Sequence, residues 1–188
     1  MNDKKITVPK YLHELFGRET TLLEILAILA SASAVTIILI GLDLAYFKEI
    51  GLIKSVILAI LIFDITAGVI ANLTAGTNDY YAQQAVKRNI FIAIHIQPLI
   101  FSWFLGNYII ESLFAWFYTF TASLLINSLT DNPVQRTIAG ASLVVGLTIL
   151  LVINRGMPTF LLVTLVLYMI KLIYSFSVNH TLGKKGWQ

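Results

Sequence analysis

Residues 60–98 read ILIFDITAGVIANLTAGTNDYYAQQAVKRNIFIAIHIQP, which is an apolar segment, a polar connector and a second apolar segment. Each apolar segment carries one ionisable side chain, Asp64 in the first and His95 in the second. An ionisable group at membrane depth is costly, about 2.5–3.5 kcal/mol for Asp at the centre of an inserted helix. Such groups therefore face the interior of a helix bundle and indicate a site. We predict that this stretch organises the function of the chain.

One face of the first apolar segment is small or polar when the residues are spaced at about 100° each, as on a helix. Its members are Asp64, Ala67, Gly68, Ala71, Asn72, Thr74 and Ala75. The opposite face is aliphatic apart from Thr66, and comprises Ile65, Val69, Ile70 and Leu73. We expect Asp64 and Asn72 to point together into the interior of the bundle.

The composition is that of a membrane protein. Of 188 residues, 57% are hydrophobic and only 12% are charged, against about 25% charged residues in a soluble domain. Apolar runs of about 20 residues, the length that crosses a bilayer as a helix, recur along the chain. The runs are continuous rather than alternating, which argues against strands. These features predict an all-α integral membrane protein of the cell membrane, with the lipid bilayer as its surroundings.

Several classes of chemistry are excluded or disfavoured. The chain has no Cys, which rules out disulfides, thiolate chemistry and Cys-ligated metals. Its three His residues lie in three different segments without the spacing of metal ligands, so no metal site is predicted. The pI near 9.1 does not indicate a nucleic-acid partner, because the basic residues lie mostly at segment ends, where membrane topology explains them. No residue pattern points to a cofactor.

The apolar pattern predicts six transmembrane helices in one domain, residues 21–178, between tails of residues 1–20 and 179–188. Residues 7–17 are expected to form a short amphipathic helix on the membrane surface. Thr21 and Glu24 have the spacing of a capping box at the start of the first helix. Pro98 lacks the N–H that would bond the Ile94 carbonyl, so we expect a kink in the third helix. The six expected spans are 21–41, 52–73, 90–105, 109–129, 134–153 and 159–178.

The basic residues are distributed unequally between the two sides of this arrangement. Ten fall on the side of the termini: Lys4, Lys5, Lys10, Arg18, Lys87, Arg88, Arg136, Lys171, Lys184 and Lys185. Three fall on the other side: Lys48, Lys54 and Arg155. This excess predicts that both termini are cytoplasmic. Lys171 lies close enough to the cytoplasmic end of its helix for its side chain to snorkel, so it is not among the predicted site residues. The depths of Asp64, His95 and Lys171 nevertheless overlap, and one pocket can hold all three if their helices are neighbours.

Polar side chains then gather in the cytoplasmic half of the bundle. We predict that seven of them bind a ligand: Asp64, Asn72, Asn78, Asp79, His95, Asn127 and Arg136. Contact is expected above all between the second and third helices, which are consecutive and joined by a short connector.

Three functions remain open at this point. The first is a small transporter, or the substrate-binding subunit of a permease, with a small-molecule or lipid ligand. With six spans in 20.9 kDa, the chain is similar in size to the substrate-capture subunits of vitamin permeases. The second is a membrane-embedded enzyme that acts on a lipid, with Asp64, Asp79 or His95 as acid or base. The third is a structural protein that binds a partner membrane subunit or a second copy of itself.

Residues 64–72 share one short pattern with an enzyme family. They resemble the start of the D-x-x-D-G-x-x-A-R motif of CDP-alcohol phosphotransferases, with Asp64, Gly68 and Ala71 in place. Ala67 replaces the second Asp, Asn72 replaces the Arg, and the downstream Asp pair is missing. Membership of that family is therefore not inferred.

Overall fold

The computed structural model describes residues 4–82, 84–130 and 132–180. Within these ranges, six helices are long and apolar enough to cross a membrane, as the sequence predicts. They span Leu22–Leu42, Leu52–Ala71, Ala85–Leu105, Ile109–Ser128, Gln135–Ile153 and Thr159–Phe176. The third begins five residues earlier than expected, so it includes Lys87 and Arg88. The C-terminal tail beyond His180 lies outside the described residues.

The N-terminal segment is a hairpin, and only residues 10–16 of the helix expected over residues 7–17 are helical. Strand β1 (Lys5–Thr7) pairs antiparallel with β2 (Glu19–Thr21), and the loop between them contains a 3₁₀ turn (Lys10–Leu12) followed by the four-residue helix α1 (His13–Phe16). Pro9 gives the reason for the later start, because a proline disfavours helical backbone at the residue before it, here Val8. The expectation of an entirely α-helical chain is corrected to this extent.

The remaining elements follow in a simple order. The first long helix is α2 (Leu22–Leu42), which the short α3 (Leu44–Glu49) joins to α4 (Leu52–Ala71). Helix α5 (Ala75–Ala82) leads to the third long helix, which is divided into α6 (Ala85–Ile94) and α7 (Gln97–Leu105). Helices α8 (Ile109–Ser128) and α9 (Gln135–Ile153) come next, and the sixth long helix begins as α10 (Thr159–Met169) and ends as a π-helix (Ile170–Phe176).

Two local predictions are confirmed. At the start of α2, the Glu24 backbone N–H donates to Thr21 Oγ1 at 3.2 Å, and the Thr21 backbone N–H donates to a Glu24 carboxylate oxygen at 2.8 Å. In the third helix, the helical hydrogen bonds stop where Pro98 removes a donor, and the Ile94 carbonyl accepts from the Ile96 N–H at 2.9 Å instead.

The sixth long helix is the centre of the bundle. In its most apolar 18-residue stretch, 61% of the residues are buried, whereas the corresponding stretches of the other five helices are at most 33% buried. It packs against α2, α4, α7, α8 and α9. The first turn of α10 is held by Asp43, whose carboxylate accepts the Phe160 backbone N–H at 2.6 Å. A polar side chain on this helix therefore lies deep within the molecule.

The orientation of α4 differs from the expected one. Its aliphatic face is the one that enters the packed core, with Leu58, Ile62, Ile65 and Val69 buried. The Asp64 side chain keeps 47% of its surface exposed and faces a cavity at the side of the bundle. The bulky aliphatic side chains fill the space against the central helix, whereas the small residues around Asp64 leave space unfilled.

Candidate functional site

A cavity of about 610 Å³ lies beside the Asp64 face of α4. Residues of α1, α2, α4, α6, α7 and the π-helix line it. Most of the lining is apolar, and its inner polar side chains are Asp64, Asn72, His95, Gln97 and Lys171. The structure therefore brings together three of the seven predicted site residues and adds Gln97 and Lys171.

An ion pair forms the polar centre of the cavity. Lys171 Nζ lies 3.0 Å from Asp64 Oδ2 and 3.5 Å from the Asp64 backbone carbonyl. The Lys171 side chain is only 3% exposed, so the carboxylate is the partner that faces the open space. The prediction that Lys171 snorkels to the surface is wrong, because its helix lies at the centre of the bundle and Asp64 is within reach.

Gly68 makes this approach possible. It follows Asp64 by one helical turn, and a Cβ at this position would overlap Lys171 Cε and lie 2.8 Å from Nζ. Lys171 itself lies in the π-helix, in which the Ser177 N–H donates to the Leu172 carbonyl at 3.1 Å. Such segments are rare and frequently lie at functional sites.

Gln97 joins the ion pair from the start of α7. Its Nε2 donates to Asp64 Oδ2 at 3.2 Å, and its Oε1 is buried without a hydrogen-bond partner among the described residues. On a continuous helix, Gln97 and His95 would point in nearly opposite directions, about 200° apart. The interruption before Pro98 allows both side chains to line the same cavity.

His95 is fixed between α6 and the central helix. Its Nδ1 contacts the Phe91 carbonyl, and its own carbonyl accepts from the Tyr168 hydroxyl at 2.6 Å. A carbonyl only accepts, so Nδ1 carries the proton and Nε2 of the neutral ring is an acceptor.

Asn72 lies at the C-terminal end of α4 and is 4% exposed. Its Nδ2 is buried and has no hydrogen-bond partner in the described part of the chain. Buried polar groups nearly always have partners, so an unpaired donor beside the cavity indicates where a bound molecule would be held. Asn72 Nδ2 and Gln97 Oε1 are thus two buried polar atoms without a partner among the described residues, on side chains that line the cavity.

Three predicted site residues lie elsewhere, around the end of the central helix. Asn78 donates to the Val178 carbonyl at 3.1 Å and accepts from the His180 N–H at 3.1 Å. Asn127 accepts from Arg88 Nε, and Arg136 donates to the His180 carbonyl at 3.1 Å. Asn78, Asn127 and Arg136 therefore contact the segment that follows the central helix and do not line the Asp64 cavity, and their role in ligand binding stays a prediction.

The sequence did not indicate the role of Arg88 at the same end of the central helix. Arg88 is 2% exposed, and its Nη2 donates to the Phe176 carbonyl at 3.3 Å and the Ser177 carbonyl at 2.9 Å. The last carbonyls of a helix lack helical partners and attract positive charge. The available signal is an Arg that precedes an apolar segment, and the same pattern also fits a role in membrane topology.

Asp79 is also separate from the Asp64 cavity. It is exposed on α5 and lines a surface cavity of about 350 Å³ with residues of the N-terminal hairpin, among them Lys5 and Glu19. Across residues 4–82, 84–130 and 132–180, no three His, Asp or Glu side chains are placed to hold a metal ion.

No family model matches the chain, and neither does a curated protein or a solved structure. Its function therefore has to be inferred from the chemistry of the Asp64 cavity.

Proposed function

We propose that the chain is a multi-pass protein of the cell membrane, with both termini in the cytoplasm, that binds a small, partly polar ligand in the Asp64 cavity. In this proposal it acts as a transporter or as the substrate-binding subunit of a permease. Six apolar helices support the membrane location, and the excess of basic residues on the side of the termini supports the orientation.

The observation that carries the proposal is the ion pair beside an open cavity. Asp64 lies about 10 Å along α4 from Ala71, within the apolar part of the helix. An ion pair at such depth is costly, and replacing a buried pair with apolar residues is often neutral or stabilising. Intramembrane ionisable residues therefore indicate function more often than packing. The half-exposed carboxylate of Asp64 is the group that a ligand would meet first.

The interrupted third helix supports transport in particular. Non-helical backbone at membrane depth is tolerated where it is buried in protein or lines a cavity. Many transporters bind their substrates at discontinuous helices of this kind. Here the interruption at His95 and Ile96 borders the Asp64 cavity, opposite the π-helix that carries Lys171.

An enzyme acting on a lipid is the second candidate. The supporting observation is that His95 Nε2 is an acceptor in the same cavity as the Asp64 carboxylate, so a general base is available. Asp64 Oδ2 is already engaged by Lys171 and Gln97, which favours a binding role for the carboxylate over proton transfer. A protein that only binds a partner subunit or a second copy of itself needs no cavity with unpaired polar groups.

Equilibrium dialysis of the purified protein against a defined mixture of small metabolites and lipids, read by mass spectrometry, tests the proposal. The cavity variant is Asp64→Asn/Lys171→Met, which removes both charges together and leaves neither unpaired. The matched control is Lys5→Met/Glu19→Gln, which removes an exposed ion pair of the same kind, with 2.9 Å between its charged atoms.

The wild-type protein and the control should enrich the same compound, and the cavity variant should not. Conversion of a lipid into a new product during dialysis would favour the enzyme. If nothing is enriched, or if the cavity variant binds as well as the wild type, the ligand-binding proposal is wrong.

A further inference from the structure

The Asp64 cavity opens towards the side of the bundle. Three apolar residues line it and keep large exposed fractions: Leu29 (43%), Ile60 (62%) and Ile94 (65%). They belong to α2, α4 and α6, respectively. Helix α2 packs along α4 and α6 packs against α8, so this face of α4 is left uncovered between α2 and α6.

The opening lies near mid-height of α4. Ile60 is about 12 Å along the helix from Leu52 and about 17 Å from Ala71. In the proposed membrane placement, a side opening at this height faces the hydrocarbon core of the bilayer, which is about 30 Å thick.

The end of the cavity towards the chain termini is walled by the N-terminal hairpin. Tyr11, Glu14, Leu15 and Phe16 line the cavity there. The hairpin is docked on α5, because Thr77 Oγ1 donates to the Leu15 carbonyl at 3.0 Å and Gly17 packs directly against Gly76. A Cβ on Gly17 would overlap the Gly76 backbone, and φ at Gly17 is +72°, so two glycines permit this contact. The hairpin therefore forms the wall of the cavity on the side of the termini.

The polar groups inside the cavity suit an uncharged partner. Asp64 and Lys171 neutralise each other, so a charged head group would meet no uncompensated opposite charge. Glu14, the remaining acidic side chain of the lining, lies in the hairpin at the surface end. The Asp64 carboxylate is the half-exposed polar group of the cavity, and a hydroxyl group can donate a hydrogen bond to it without carrying a charge.

We propose that the ligand of the Asp64 cavity is a single-chain lipid with an uncharged, hydroxyl-bearing head group, which enters sideways from the bilayer between α2 and α6. The head group lies beside Asp64, Asn72 and Gln97, and the chain leaves the cavity past Ile60 and Ile94. A cavity of about 610 Å³ holds the head group and the first part of one chain, and the rest of the chain stays in the bilayer. This inference rests on the proposed binding function and names the ligand of that function by class.

The test uses the absence of native Cys. Ala67→Cys places a thiol in the cavity lining, and Ala141→Cys places one on the exposed face of α9 as the control. Each variant is reconstituted in phosphatidylcholine vesicles, and the rate of labelling with N-ethylmaleimide is measured with and without 1-monooleoylglycerol.

Monooleoylglycerol should slow labelling of Ala67→Cys by about tenfold once it exceeds its Kd about tenfold, because only the unoccupied cavity reacts. It should leave Ala141→Cys unchanged. Adding Asp64→Asn/Lys171→Met to Ala67→Cys should abolish the protection.

Two further probes test whether the ligand needs an acyl chain and whether its head group must be uncharged. Glycerol carries the same hydroxyl groups without a chain, and oleate carries the same chain with a charged head group; neither should protect. Protection by glycerol equal to that by monooleoylglycerol would overturn lateral entry of a lipid and leave the binding function standing. Stronger protection by oleate than by monooleoylglycerol would contradict an uncharged head group. Absence of protection by monooleoylglycerol would overturn the inference as a whole. The dialysis experiment decides the binding function separately.

Discussion

At the scale of single residues, the two partners of the cavity ion pair differ in exposure. Lys171 is almost completely covered, whereas nearly half of the Asp64 side chain is exposed. Removing the carboxylate strands a buried ammonium, but removing the lysine leaves a carboxylate that still accepts a hydrogen bond from Gln97 Nε2 at 3.2 Å.

We therefore expect Asp64→Asn to lower the free energy of unfolding by about 3 kcal/mol, and Lys171→Met to lower it by less. The double variant should be more stable than Asp64→Asn alone, because no charge is left without its partner. Thermal unfolding of the three variants in the same detergent ranks their stabilities. Greater damage from Lys171→Met than from Asp64→Asn would contradict the observed exposures.

Gly68 supports a second prediction at this scale. Gly68→Ala should force Lys171 away from Asp64 and cost about 1–3 kcal/mol through overpacking. Gly140→Ala in α9 is the matched control, because a Cβ there meets nothing within 4 Å and should stabilise the helix by about 0.5–1 kcal/mol. Equal gains from both substitutions in thermal unfolding would show that Lys171 does not cross Gly68.

At the scale of elements, the end of the central helix depends on side chains from its neighbours. Arg88 Nη2 bonds the Phe176 and Ser177 carbonyls, and Gln135 Nε2 bonds the Ser177 carbonyl at 2.9 Å. Because Lys171 lies in the same π-helix, this cluster also holds the cavity ion pair in place.

Arg88→Met should cost about 2 kcal/mol, because it removes the Arg88 donor from the Phe176 carbonyl and from Asn127 Oδ1, and leaves Gln135 as the side-chain donor to the Ser177 carbonyl. Amide hydrogen exchange should accelerate across residues 172–180 more than elsewhere. The neighbouring substitution Lys87→Met removes an exposed cation and should change stability by no more than about 0.5 kcal/mol. Similar effects of the two substitutions would show that Arg88 does not cap the helix.

The same cluster gives a prediction of pH dependence. His180 Nε2 donates to the Tyr174 and Ser175 carbonyls. Burial lowers the pKa of His180 from its usual 6.5, and the nearby positive charges of Arg136 and Arg88 act in the same direction, against the two backbone hydrogen bonds. The unfolded chain thus binds the proton more readily, so stability is present above pH 6.5 and is lost as the pH falls through the lowered pKa.

Acidification from about pH 7.5 to about pH 5.5 should therefore destabilise the wild type more than His180→Gln. His13 and His95 are present in both proteins, so the difference between their melting curves isolates His180. Parallel pH profiles would contradict a lowered pKa at this position.

At the scale of the whole molecule, the sequence predicts the number of long helices well. Hydrophobic runs and turn residues such as Gly106 and Asn154 are local signals, and the proline interruption before Pro98 follows from a single missing donor. The hairpin at the N-terminus was missed, because pairing between residues 5–7 and 19–21 is a non-local contact with no local signature in short polar segments.

The candidate site was only partly predictable, for a physical reason. Asp64, Asn72 and His95 carry polar groups that are unusual in apolar segments, so their positions alone mark them. The partnership of Lys171 depends on which helix becomes the centre of the bundle, and hydropathy is similar for the central helix and its neighbours. The separation of Asn78, Asn127 and Arg136 from the cavity depends on the same packing.

The proposed orientation of the molecule in the membrane is tested with single introduced cysteines. Lys10→Cys should be protected from membrane-impermeant thiol reagents in intact cells, whereas Lys48→Cys and Asn107→Cys should react, because the basic residues favour cytoplasmic termini. All three positions are exposed, so protection reports the side of the membrane. Labelling of Lys10→Cys with protection of Lys48→Cys would invert the topology.

The most direct test of the central claim is an experimental structure of the protein in a lipid nanodisc. We expect density for one elongated molecule between α2 and α6, with its polar end about 3 Å from polar atoms of Asp64, Gln97 or Asn72. Lys171 should remain paired with Asp64. A bundle in which α2 and α6 close against each other over Asp64, without room for a molecule, would contradict the claim that this cavity is a binding site.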